Sequence, residues 1–202
     1  MEASQSIFTK HYHDYLAQLA RRDLPGLAES LGAEALGQGL RLPLLGRRYL
    51  ISADGVIGEN GMRASYDACI ILCRYVLMCP PQTPLDDDLV TFRNLKDSGP
   101  LTVYFADNVE RVIANRYSGQ LAAFRNICAE LGKETKLAVR VDAAGCFSAL
   151  PKIPLTVLFN DRDEEFSASC SILMERRAER YLDAECLAML GHGLAKRLTE
   201  IG

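Results

Sequence analysis

Alternation is the strongest constraint on what this chain can fold into. From Ile153, apolar side chains recur at every second residue: Ile153, Leu155, Val157 and Phe159. After the acidic run Asp161-Arg162-Asp163-Glu164-Glu165 the rhythm resumes at Phe166, Ala168, Cys170, Ile172 and Met174, with Ser167, Ser169 and Ser171 between them. A period of two puts one set of side chains on a core face and the other in water. Two such runs joined by a charged tip make an antiparallel hairpin. Behind it the period changes. Asp183 stands where a helix N-cap is expected, and Leu187, Leu190, Leu194, Leu198 and Ile201 form one apolar stripe at helical spacing.

The rest of the chain supplies partners for this unit. Residues Ile7 to Arg21 read as a helix with Ile7, Phe8, Tyr12, Tyr15, Leu16 and Leu19 on one side. Pro25-Gly26 opens a short helical turn closed by Gly32. Leu40–Leu45, Arg48–Ser52 and Val56-Ile57 read as a meander turning at Gly46-Arg47 and Ala53-Asp54-Gly55, and Pro43 points to a sheet edge or a bulge. Met62 to Met78 is apolar almost all round, interrupted only by Arg63, Asp67 and Arg74, with Arg63 and Asp67 spaced to pair. A helix of that kind is central and covered on most sides. Strands are expected at Leu89–Leu95, Leu137–Val141 and Cys146–Leu150, a helix from Asp107 to Tyr117, and another from Ser118 to Gly132. The expected fold is α+β, an antiparallel sheet of meander and hairpin strands packed against several helices. Residues 1–202 form one globular domain.

Composition excludes several classes. The 202 residues carry a net charge of −3, so no excess of Lys or Arg is available to neutralise phosphates, and nucleic acid is not an expected partner. The start of the chain has no cationic segment leading into an apolar run, so a secretory signal is not expected. No stretch reaches the roughly 18 uninterrupted apolar residues of a spanning helix, so membrane is not expected either. Seven cysteines at irregular spacing in apolar surroundings read as reduced, packed thiols in a cytoplasmic protein.

Few residues form a chemical constellation. Cys69 and Cys73 lie four apart on one helix face and could supply two metal ligands, but they share that face with Tyr66, Val76 and Leu77, which reads as core. No cofactor is therefore expected. His11 and His13 are two apart, point to different sides of a helix and cannot chelate together. His13 and His192 read as solvated. His11 falls among apolar neighbours, where a titration near neutral pH would matter. There is no G-x-S-x-G elbow and no phosphate-binding G-K-[S/T]. The clusters Asp86-Asp87-Asp88 and Asp161 to Glu165 match no EF-hand loop; the second reads as the wet tip of the hairpin.

The run L-P-K-I-P-L-T-V-L-F-N-D-R-D-E-E-F, followed by I-L-M-E-R-R-A-E-R-Y-L-D-A-E-C-L-A-M-L-G, resembles an uncharacterised family of domains of unknown function frequent in strictly anaerobic bacteria and archaea. Weaker likenesses lie at Ser65 to Leu77, at Thr91 to Leu95 and at the pair Leu121 and Phe124. Some members of that family look like fusions to a small four-Cys iron–sulfur domain. This chain has no closely spaced four-Cys run, so the resemblance implies that any redox role comes through a partner. It implies an anaerobic cytoplasm and carries over no active-site residue.

The functional expectation is a cytoplasmic accessory module of anaerobic redox or one-carbon metabolism that binds a small molecule or a redox partner protein. Its pocket would be lined by His11, Tyr66 and Arg74. One alternative is an enzyme assembling carboxylates, Tyr or Arg from separate elements, which a carboxylate or His with a displaced pKa inside a cleft would favour. The other is a metal or iron–sulfur carrier using Cys69, Cys73 and a distant third cysteine.

Overall fold

The computed structural model describes residues 2–200 and the side chains of residues 9–200, so the side chains of Ile7 and Phe8 and the whole of Ile201, all part of the expected stripes, lie outside what is described. The chain opens with α1 (Glu2–Leu19), a 3-10 turn at Pro25–Leu27 and α2 (Ala28–Leu31), which Gly32 ends in a left-handed cap at φ 65°. A four-stranded meander follows: β1 (Glu34–Leu36), β2 (Gly39–Leu44), β3 (Arg47–Ser52) and β4 (Gly55–Gly58). Then come α3 (Tyr66–Leu77), β5 (Leu89–Thr91), α4 (Thr102–Phe105), a π-helical turn at Ala106–Glu110, α5 (Arg111–Tyr117) and α6 (Leu121–Leu131). The chain finishes with β6 (Lys133–Glu134), β7 (Ala143–Leu150), β8 (Ile153–Asn160), β9 (Ser169–Glu175) and α7 (Ala184–Glu200). The fold is α+β with two antiparallel sheets, β1-β2-β3-β4 and β5-β9-β8-β7-β6, whose buried side chains join one connected core.

The hairpin alternation is realised in β8 and β9. Ile153, Leu155, Val157 and Phe159 are buried, as are Ile172 and Met174, which belong to the facing strand in register with Val157 and Leu155. The second strand starts later than alternation implies. Phe166 lies in the connecting loop, 69% exposed, because the Asp163 carboxylate accepts the Glu165 and Phe166 amides and turns the chain there. Those two amides hold the Asp163 carboxyl below its ordinary range. The tip is thus a structural turn.

α3 is the central helix. Ala68 to Cys73, Tyr75 and Val76 are buried against α1, α7 and β4. It begins four residues later than its apolar composition implies. Ser65 caps it, and Met62 to Ala64 instead extend β4's edge, with Ala64 N–H bonded to Val56 O and Arg63 bridged to Ile57. Arg63 therefore does not pair with Asp67 along a helix; its guanidinium lies 4.7 Å from the centre of the Tyr12 ring. The α3 hydroxyl Tyr75 donates to Leu31 O and accepts from Lys152 N–H, tying α2 and the β7–β8 turn to the core. Tyr12 on α1 accepts the Val56 amide at 2.8 Å and fixes α1 to β4.

Other expectations change in informative ways. The helix expected from Asp107 begins in a 3-10 turn at Gly99–Leu101 and runs on through α4 and the π-turn. Leu137 to Val141 is not a strand. Pro43 sits inside β2, opposite Arg48, yet is tolerated because β1 pairs only with Gly39 to Arg41 and leaves Pro43 without a neighbour on its other side.

Asp183 closes the structure at the start of α7. One carboxylate oxygen accepts the Cys186 amide at 2.9 Å, and the other accepts Arg74 Nη2 at 2.6 Å and Nε at 3.0 Å. Burial alone would raise this carboxyl, but the amide and the guanidinium outweigh it and hold it below its ordinary value. A carboxylate lowered in the folded state contributes stability above its unfolded pKa and loses it as pH falls through the folded one. Asp183→Ala is expected to cost about 1–2 kcal/mol by chemical denaturation. Asp183→Asn is expected to flatten the loss of stability below about pH 4.

Candidate functional site

The β2–β3 turn departs from ordinary backbone geometry. Leu45 and Gly46 form its two central positions with φ 50° and 78°, a left-handed pair suited to Asn-Gly and costly for a branched side chain at the first place. The connection falls at Leu45-Gly46, one residue earlier than the expected Gly46-Arg47. Two contacts hold Leu45 there. Its amide donates to Ala149 O of β7 at 2.8 Å, bridging the two sheets, and its side chain lies over Gly193 of α7, where a Cβ would sit 2.8 Å from Leu45 Cδ1. A strained residue held by its surroundings marks a place where the fold builds something other than the cheapest turn.

What it builds is a cleft divided by Leu45 and Arg197. On one side, a cavity of about 180 Å³ has apolar walls from Leu44, Ile71 and Met189 and polar ones from Arg47, Tyr49 and Lys196. The first turn of α3, at Ser65, Asp67 and Ala68, closes its end. On the other side, about 120 Å³ lies against Gly46, Leu131, Phe147 and Leu194. Arg197 lines both, and among the described residues its buried Nε has no hydrogen-bond acceptor. The first cavity continues through Arg47, Tyr49 and Ser65 into an open groove of about 390 Å³ that adds Arg48, Arg63 and Glu59. On a chain of net charge −3, cations outnumber anions along this groove.

The residues singled out from sequence are dispersed. His11 is exposed on α1, because the buried stripe of that helix runs through Tyr12 and Leu19. Tyr66 opens α3 and is 51% exposed. Arg74 is engaged with Asp183 and lies 6.0 Å from the Tyr15 ring centre. None of the three lines either half of this cleft. His192, expected to be solvated, is half-buried with its ring 6.5 Å from that of Tyr104.

Cys69 and Cys73 are both buried on α3. Burial raises the Cys69 thiol, opposed by the Tyr12 hydroxyl and Arg63, and pushes Cys73 up to about 12. Such thiols are protonated near neutral pH. Among the described residues no group of three or more His, Cys, Asp or Glu is gathered that could hold a metal ion. No described helix is long and apolar enough to cross a membrane.

If Leu45 serves the cleft rather than the turn, Leu45→Asn should separate the two. Asn suits the left-handed position, so the thermal midpoint is expected to hold or rise, while the wall facing Gly193 is lost. Circular dichroism melting checks the first outcome; ligand titration of the same variant checks the second.

No curated protein and no solved structure is similar to this chain at a significant level. A profile of one family does match, described as a domain of unknown function, DUF3786, and the match spans residues 23–197. That span starts after α1, just before the 3-10 turn at Pro25, ends at Arg197 and includes every residue of the cleft but Glu200. The chain belongs to the DUF3786 family.

Proposed function

We propose that the protein is a binding module for a small organic anion, held by its carboxylate or phosphate at Arg197 and Arg47 with its apolar part against Leu44, Ile71 and Met189. The observation that carries this reading is Arg197, whose guanidinium is partly buried between two cavities without an acceptor for Nε among the described residues. A buried donor left without a partner costs about 1–3 kcal/mol, and a ligand oxygen would recover that cost. Arginine also matches the planar geometry of carboxylate and phosphate. The cytoplasm of an anaerobe, and a role beside a redox or one-carbon partner, is the setting we propose. Seven free cysteines and the resemblance of the C-terminal hairpin and helix support it.

Hexanoate, acetate and inorganic phosphate are suitable probes, followed by the amide resonances of Leu45 and Gly193. Hexanoate should bind more tightly than acetate, because each buried methylene adds about 0.8 kcal/mol. Arg197→Gln should weaken it about tenfold or more. Absence of saturable shifts, or shifts indifferent to Arg197→Gln, would exclude the groove as the site.

A second reading, an enzyme built from dispersed groups, draws on one observation. Glu110, in a different cleft, has its carboxyl raised by burial, against the opposing Ile172 amide and Arg93. This reading predicts a turnover that Glu110→Gln abolishes while the melting curve is unchanged.

A further inference from the structure

The π-helical turn at Ala106–Glu110 brings Glu110 to the place where β5 stops. β9 is paired along one side by β8, but on the other side β5 reaches only to Leu173, through Thr91. The next amide, Ile172 N–H, is met instead by Glu110 Oε1 at 2.9 Å. Extra-residue turns of this kind re-aim a side chain and recur at functional sites. Here the turn leaves Glu110 half-buried at the wall of a cleft of about 250 Å³.

Capping a strand end uses only one of the two carboxylate oxygens. Among the described residues Oε2 has no hydrogen-bond donor. The same cleft holds Arg93, whose charge acts on Glu110 without a direct ion pair between them among the described residues, and the residues Thr91, Thr102 and Ser171. The Thr91 and Thr102 hydroxyls already donate, to Asn94 Oδ1 and Ser98 O, and so present only acceptor capacity. Phe92 and Phe105, stacked at 4.3 Å, supply the apolar floor.

We infer that this cleft is a second binding site, for a small zwitterion whose ammonium is taken by Glu110 and the threonine hydroxyls and whose carboxylate is taken by Arg93. A cation alone would meet the charge of Arg93, and an anion alone would meet that of Glu110. A molecule carrying both charges satisfies the two together. The volume suits an amino acid of a few carbons. This site is separate from the groove at Arg197 and does not depend on what that groove binds.

The test uses the full chain and three zwitterions of increasing charge separation, glycine, β-alanine and 4-aminobutanoate, with methylammonium and acetate as single-charge controls. At least one zwitterion should shift the Ile172 and Ser171 amide resonances saturably. Both Glu110→Gln, whose amide oxygen still accepts the Ile172 amide, and Arg93→Gln, at an exposed position, should weaken it at least tenfold. Arg197→Gln should leave it unchanged. Should Glu110→Gln fail to fold, Arg93→Gln decides alone. The inference is overturned if no zwitterion gives a saturable shift, if methylammonium or acetate binds as well, or if the variants of these two residues bind like the unsubstituted chain.

Discussion

The need to cover α3 organises this molecule. Eight of its twelve residues are buried, distributed round the helix rather than along a stripe, so no single layer can shield it. α1, α7 and β4 each take a side. Two polar groups on α3 then fix how those layers sit. The Tyr75 hydroxyl is hydrogen-bonded both as donor and as acceptor, so a tyrosine can occupy the core without an unsatisfied oxygen. Arg74 is directed to Asp183, whose other oxygen caps α7, so helix start and helix packing share one residue. The Tyr75 and Tyr181 rings, 5.6 Å apart, extend the same contact toward the chain that leads into α7.

The candidate groove follows from that arrangement. The β2–β3 turn comes down onto Gly193 of α7, and it is held there by the bond from the Leu45 amide to β7. The cleft on either side is what remains when two sheets meet a helix at a turn whose leading residue is branched. Arg197 lies at that meeting, one turn before the helix ends.

What was legible in the sequence is what repeats locally. The alternation in β8 and β9, the Asp183 cap, the Leu187-to-Leu198 stripe and the burial of α3 depend on neighbours within a few residues, and the structure follows them. The departures have long-range causes. Met62 to Ala64 are apolar enough to be helical, but pairing with Val56 keeps them extended. His11 looked inward on a helical wheel, yet Tyr12 is the residue whose hydroxyl finds an amide on β4. The groove could not be read at all. Leu45 is no turn-former by type, and it stands about 150 residues from Arg197, with nothing in either neighbourhood to announce the other. Glu110 was equally silent, because its role depends on where β5 stops.

The outermost strands have a further consequence for how the protein behaves in company. β1 and β5 are three residues long, β6 is two, and β4 is flanked by the Met62-to-Ala64 segment. Beyond the end of β5, Glu110 occupies the Ile172 amide, and the Asp86 and Asp88 carbonyls take the amides of Arg177 and Arg176. Long open rows of backbone donors and acceptors are the templates on which chains add to one another edge to edge. Here the outermost strands are short, and the backbone beyond β5 is already engaged. Among the described residues the nine strands thus offer few free backbone positions at which a further strand could pair.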